Sequence, residues 1–122
     1  MKIQARYKIN ELLTLVEPNS LGKEGIIKVS SNTSLEHLET IVRVAYMLKK
    51  EGCIFYHEAK FKDNKGRCDL LAFSSKGDGF IIEILKSETE KMFDEKLKKY
   101  PIELEIVKIN SKTFKKADLF FI

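Results

Sequence analysis

The chain has 122 residues, 43% hydrophobic and 33% charged, and its net charge of +4 comes from 22 lysines and arginines against 18 acids. That is one domain's length with enough apolar material to close a core, which excludes a disordered tract and a two-domain enzyme. No stretch approaches the roughly 18 apolar residues of a membrane span, and the start MKIQARYK lacks an apolar signal core, so a soluble cytoplasmic protein is expected.

In chain order, KINELLTLVE (8–17) places Ile9, Leu12, Leu13 and Val16 at helical spacing, and Pro18 with Asn19 ends the segment. GIIKVSS (25–31) is β-rich and reads as a short strand feeding the next helix. For that helix SNTS offers N-caps, Leu35, Leu38, Ile41, Val42, Ala45 and Leu48 share a face from Leu35 to Lys50, and Gly52 stops it. CIFYHEAKF (53–61), the turn KDNKG, RCDLLAFSS (67–75), the turn KGDG and FIIEILK (80–86) then read as three antiparallel strands in hairpin succession. Ser87 and Glu90 form a capping box for a helix whose apolar face is Met92, Phe93, Leu97 and Tyr100, ended by Pro101, and ELEIVKI (103–109) is a further strand. Strands 80–86 and 103–109, joined by one helix, should lie parallel through a right-handed crossover. The tail SKTFKKADLFFI is amphipathic and fits a last helix or a strand.

The expected fold is therefore α/β, a mixed sheet of three antiparallel strands plus one parallel strand, flanked by helices. Residues 1–122 form a single domain, with 1–33 an N-terminal extension, 34–109 the core and 110–122 a C-terminal element. Cys53 and Cys68 have neither CxxC spacing nor a nearby His to complete a zinc set, so they read as reduced core thiols. Lysines interleave with glutamates along the chain, which permits a polyanionic partner without arguing for one. The richness in Lys, Glu and Ile resembles the bias of thermophile proteins.

Two acids stand out because they interrupt apolar runs. In FIIEILK the residues of both faces are apolar, so the strand is central, and Glu83 among isoleucines costs several kcal/mol unless paired, protonated or metal-bound. Asp69, between Cys68 and Leu70, poses the same problem. A tight turn at KGDG puts Asp69 and Glu83 near facing positions of neighbouring strands, where like charges are tolerable with a divalent cation between them. The plainer alternative pairs each acid with a cation, and Arg67 or Lys86 is near enough in sequence to serve.

SLEH opening a helix, Gly52, a strand ending HEAKF, RCDLLAF and IIEIL together resemble the core of the PD-(D/E)xK nuclease superfamily, and more narrowly small archaeal proteins with a nuclease-like core. The resemblance covers residues 34–109 through short motifs. It implies a restriction-endonuclease-like fold and a metal-dependent nucleic-acid phosphodiesterase, a DNA endonuclease or resolvase-like enzyme. Asp69 and Glu83 would hold Mg²⁺ or Mn²⁺, a helix acid would add a ligand or position one, and a lysine two residues after the Glu would assist the attacking water. The physical need is a cation that lowers the pKa of water and neutralises the phosphate, with an ammonium beside it.

The chain departs from this pattern at the lysine, where it has Leu85. Lys86 follows one place on, on the other strand face unless a bulge turns it back. Lys60, or lysines of the following helix such as Lys91, could substitute; with no lysine in reach the fold would bind nucleic acid or a protein without cutting. By face count Glu39 borders the apolar stripe beside Val42 and Tyr46 and is the better helix acid, whereas Glu36 points nearly opposite and reads as a capping-box partner of Thr33. His37, on the other border, reads as structural. With position 59 facing Asp69, Glu58 and Lys60 lie on the opposite side of the strand, and a one-residue slip reverses this. The catalytic set is thus Asp69, Glu83, Glu39 and Lys86, with Glu36, Glu58 and Lys60 as further candidates. The tail DLFFI, if uncovered, would suit a homodimer interface.

Overall fold

A computed structural model describes residues 1–85 and 90–122. Its elements in order are α1 (Ile3–Leu13), α2 (Leu35–Lys50), β1 (Ile54–His57), β2 (Leu70–Phe73), β3 (Gly79–Leu85), α3 (Glu90–Leu97) and β4 (Glu105–Asn110). The four strands form one sheet in the order β1-β2-β3-β4, antiparallel for the first two pairings and parallel between β3 and β4. The expected α/β mixed sheet is therefore present.

Helices cover both faces. On one, Ile41, Val44, Ala45 and Leu48 of α2 pack on Leu70, Ala72, Ile82, Ile84, Val107 and Ile109. On the other, Ile9 of α1 and Phe93 and Leu97 of α3 join Leu71, Phe73 and Ile81. Strand β3 is buried from Phe80 to Ile84, as a strand covered on both sides must be.

Helix α2 has the predicted bounds. Ser34 is its N-cap, its side chain accepting the His37 amide at 3.2 Å. Gly52, at φ 74°, ends it in a Schellman arrangement, with the Cys53 amide on Leu48 O at 2.9 Å and the Gly52 amide on Lys49 O at 3.2 Å. The buried face, however, is His37, Thr40, Ile41, Val44, Ala45 and Leu48, while Leu35, Val42 and Tyr46 are exposed. The stripe is rotated from the expected one because the sheet receives the Ile41–Val44–Leu48 line, and that rotation carries His37 inward.

Other expectations are corrected. Helix α1 stops at Leu13, and Val16, fully buried, instead bridges Phe61 beside the Glu17 amide to Lys60 O bond of 2.8 Å. Segment 25–31 is not a strand; it touches the edge of β1 through the Gly25 amide on Phe55 O and the Lys28 amide on His57 Nδ1, at 2.8 and 2.9 Å. Strand β1 ends at His57 because Glu58 turns to φ 57°. The 61–66 hairpin turns through Asp63 and Asn64, both left-handed (φ 59° and 57°), with the Phe61 amide on Gly66 O at 2.8 Å. This two-residue corner shifts the register by one, so Glu58, not residue 59, stands across from Asp69, its amide on Asp69 O at 3.0 Å.

The C-terminal tail contains a short 3₁₀ turn, Lys116–Asp118, and packs on the α2 face of the sheet. Leu119 is buried, and the Phe121 ring stacks on Phe80 at 3.9 Å. DLFFI thus packs in part on its own chain, through Leu119 and Phe121, with Phe120 left 60% exposed. Both cysteines are buried and free. The Ser87 cap lies outside the described residues. Among those described, no helix is long and apolar enough to cross a membrane.

Candidate functional site

The register Leu70↔Ile82 places Asp69 directly opposite Glu83, one step beyond the last ladder pair. There β2 and β3 part, and the two side chains replace the backbone bonds. The Asp69 amide donates to Glu83 Oε2 at 2.8 Å, and the Ile84 amide donates to Asp69 Oδ2 at 2.8 Å. Each carboxylate caps the other strand, which answers why a buried sheet carries two acids.

The outer partners come from opposite layers. From α2, His37 Nε2 lies 3.4 Å from Asp69 Oδ1. From the α3 side, Tyr100 donates its hydroxyl to Glu83 Oε1 and also lies 2.9 Å from Arg67 O, while Lys96 Nζ stands 3.2 Å from Glu83 Oε1. Tyr100 reaches this position because Gly66 has no side chain: a Cβ there would sit 2.8 Å from Tyr100 Cε1, on a backbone at φ 101°. Glu83 is completely buried, Asp69 is 8% exposed, and the Lys96 side chain is 40% exposed.

Burial acts to raise the Asp69 pKa, but hydrogen bonds from His37, Glu83 and the Ile84 amide outweigh it and hold the carboxyl at about 2. Glu83 is pushed the other way, to about 7, by burial first and then by the Asp69 charge and hydrogen bond, against the pull of Tyr100 and Lys96. The two acids therefore behave as one dyad holding a proton between them. Burial and the Glu83 charge raise the Tyr100 phenol well above its usual value, so it stays a donor.

Each carboxylate oxygen has two lone pairs. Among the described residues, Glu83 Oε1 meets Tyr100 and Lys96, Glu83 Oε2 the Asp69 amide, Asp69 Oδ2 the Ile84 amide and Asp69 Oδ1 His37, besides the hydrogen bond between the two acids. No cluster of three or more His, Cys, Asp or Glu side chains in metal-binding arrangement occurs among the described residues. With Glu83 fully buried and its oxygens already receiving donors, a cation here would have to displace the dyad's proton and some of those donors.

Of the other candidates, Glu39 is exposed on α2, two residues past His37 and so about 200° round the helix; the side chain α2 delivers to Asp69 is His37. Glu36 is not the partner of Thr33, because Ser34 is the cap; its Oε1 accepts from Ser111 Oγ at 3.0 Å. Glu58 faces His57, with Oε1 3.6 Å from Nε2, and Lys60 pairs with Glu17 at 3.8 Å. Lys86 lies outside the described residues. Arg67 does not pair with either acid through its guanidinium, which reaches Glu58 O at 3.1 Å.

Sequence reasoning missed His37, Tyr100 and Lys96. His37 had a signal, because it precedes Ile41, Val44 and Leu48 by 4, 7 and 11 residues and so shares their face. Tyr100 carries a weaker one, a buried hydroxyl that must find a partner. A cavity of about 540 Å³ is lined by His37 and Leu85 with Asn32, Ser34, Asn110 and Lys112; His37 is the residue it shares with the site, and neither carboxylate is in its lining. No protein-family profile, curated protein or solved structure matches this chain.

Proposed function

We propose that the Asp69–Glu83 dyad is the centre of a metal-dependent nucleic-acid phosphodiesterase on a restriction-endonuclease-like core, acting on DNA. The observation that carries this reading is Lys96. The pattern's lysine is missing at Leu85, but an ammonium stands 3.2 Å from Glu83, supplied by α3 instead of by the strand. Two carboxylates and a lysine are thereby gathered at one point.

In this reading Asp69 and Glu83 hold Mg²⁺ or Mn²⁺, Tyr100 fixes the Glu83 carboxylate, and His37 fixes that of Asp69. When bound, the cation supplies a lowered water pKa and neutralises phosphate charge. Lys96 places a positive charge where negative charge grows as a phosphodiester is attacked, and a preorganised group of that kind contributes about 10²–10³ in rate.

A second reading, a catalytically silent nuclease-like module that binds nucleic acid or a protein, is favoured by a different observation: all four carboxylate oxygens already have donors, and Glu83 has no exposure. Incubation of plasmid and branched DNA with the protein and Mg²⁺ or Mn²⁺ separates them. The enzyme cuts, and Asp69→Ala abolishes cutting; the silent module retards DNA in a salt-dependent manner and leaves it whole.

A further inference from the structure

The side of α2 turned away from the sheet carries Leu35, Val42 and Tyr46, exposed by 69%, 49% and 61%. Single exposed apolar residues are common on any protein surface and mean little. These three are aligned. At about 100° per residue they fall within about 40° of one another, on a line about 150° round the helix from the buried side that delivers His37, Ile41 and Leu48. The line runs for about 16 Å, three turns of helix. It takes no part in the chain's own core, because α2 already packs on the sheet through its other side.

Charge along that line is segregated by end. Glu36 and Glu39 lie in the first half of α2, Arg43, Lys49 and Lys50 in the second, and all five are exposed. Among the described residues none of the five belongs to an ion pair. Arg43 lies over the Phe114 ring and Lys50 over that of Tyr46, each at 5.3 Å, and Glu36 receives the Ser111 hydroxyl at 3.0 Å. A strip with acids at one end and bases at the other is complementary to its own reverse. Turned about a two-fold axis near Val42 and Arg43, a second α2 brings its Lys49 and Lys50 beside Glu36 and Glu39 and sets its Glu39 within a turn of Arg43. Val42 then meets its own counterpart, with Leu35 and Tyr46 on either side, and the antiparallel helix dipoles attract as well. A polyanion or an anionic membrane would instead meet the two acids, and a parallel pairing would set like charges together. We infer that this face of α2 is a homodimer interface, an antiparallel α2–α2 contact between two copies of this chain. One helix per copy is a small contact, so the dimer is weak and forms with rising concentration. It leaves the dyad clear, because His37 points to Asp69 from the buried side of the helix, and it does not depend on the phosphodiesterase reading.

Sedimentation equilibrium of the whole chain in EDTA, from micromolar to millimolar protein, tests the interface. The wild type should pass from monomer to dimer across that range. Val42→Lys sets two ammonium groups at the two-fold axis and should weaken association about tenfold or more. Two charge variants then ask whether the partner is this chain reversed. Glu36→Lys with Glu39→Lys makes the strip wholly positive, and Lys49→Glu with Lys50→Glu leaves acids at both ends. Each alone should be monomeric, and an equimolar mixture of the two should recover a dimer. The substituted side chains are exposed, so the fold is kept, which circular dichroism of each variant checks. A wild type that stays monomeric at every concentration would leave the face to a different partner and overturn the proposal. A dimer that survives Val42→Lys, or charge variants that fail to associate when mixed, would overturn it as well.

Discussion

Replacing Glu83 by glutamine probes the dyad through the pH dependence of stability. A carboxyl carried from its ordinary 4.5 to about 7 favours the acid form in the folded state by about 3 kcal/mol. Its contribution is complete below the unfolded value, falls as pH rises from 4.5 through 7, and is constant above that. Asp69 works in the opposite sense: its carboxyl, moved from 3.8 to about 2, gives about 2 kcal/mol that is present above 3.8 and lost as pH falls through 2. Wild-type stability should therefore peak near pH 4 and drop by about 3 kcal/mol by pH 7. An amide at this position cannot ionise, so the Glu83→Gln variant loses that descending limb. It also presents an NH₂ where an oxygen received either the Asp69 amide or Tyr100 and Lys96, at a cost of about 1–3 kcal/mol. Urea unfolding from pH 4 to 8 in EDTA should show the variant below wild type at pH 4.5, with the gap closing or inverting by pH 8. Parallel curves would refute the shared-proton account.

Other expectations follow from the same contacts. Lys96→Met should lower Mg²⁺-dependent cleavage about 10²–10³-fold while leaving DNA retention in a gel unchanged; equal cleavage would remove Lys96 from the mechanism. Gly66→Ala should destabilise by about 1–3 kcal/mol, because φ 101° disfavours a side chain and its Cβ meets the Tyr100 ring, and it should shift the Tyr100 absorbance; a thermal melt identical to wild type would contradict the packing. Leu119→Ala should cost about 2–5 kcal/mol at any protein concentration, since the tail belongs to the chain's own core; a loss that vanishes on dilution would indicate an intermolecular role instead.

The sequence revealed the architecture where periodicity and turn chemistry agreed. The bounds of α2 followed from the SNTS caps and Gly52, the central position of β3 from its two apolar faces, and the facing of Asp69 and Glu83 from the KGDG turn. Register was lost where a backbone conformation, not a residue type, decided it: Asp63 and Asn64 both adopting left-handed geometry moved Glu58 across from Asp69. The buried face of α2 was misplaced because Leu35 and Val42 are apolar yet exposed, and an apolar stripe averaged over them points about a quarter-turn away from the face that meets the sheet, which brings His37 and not Glu39 toward Asp69. The cation was a tertiary fact. The lysine beside Glu83 comes from α3, and only the packing of α3 on β3 selects Lys96 among several lysines.

Calorimetric titration of Mn²⁺ at pH 6, repeated in buffers of different ionisation enthalpy, tests the central claim most directly. At that pH Glu83 is largely protonated, so cation binding at the dyad should release about one proton, and Asp69→Asn and Glu83→Gln should each abolish the binding heat. No heat with the wild type, or heat retained in both variants with no proton released, would contradict a cation site at these two carboxylates.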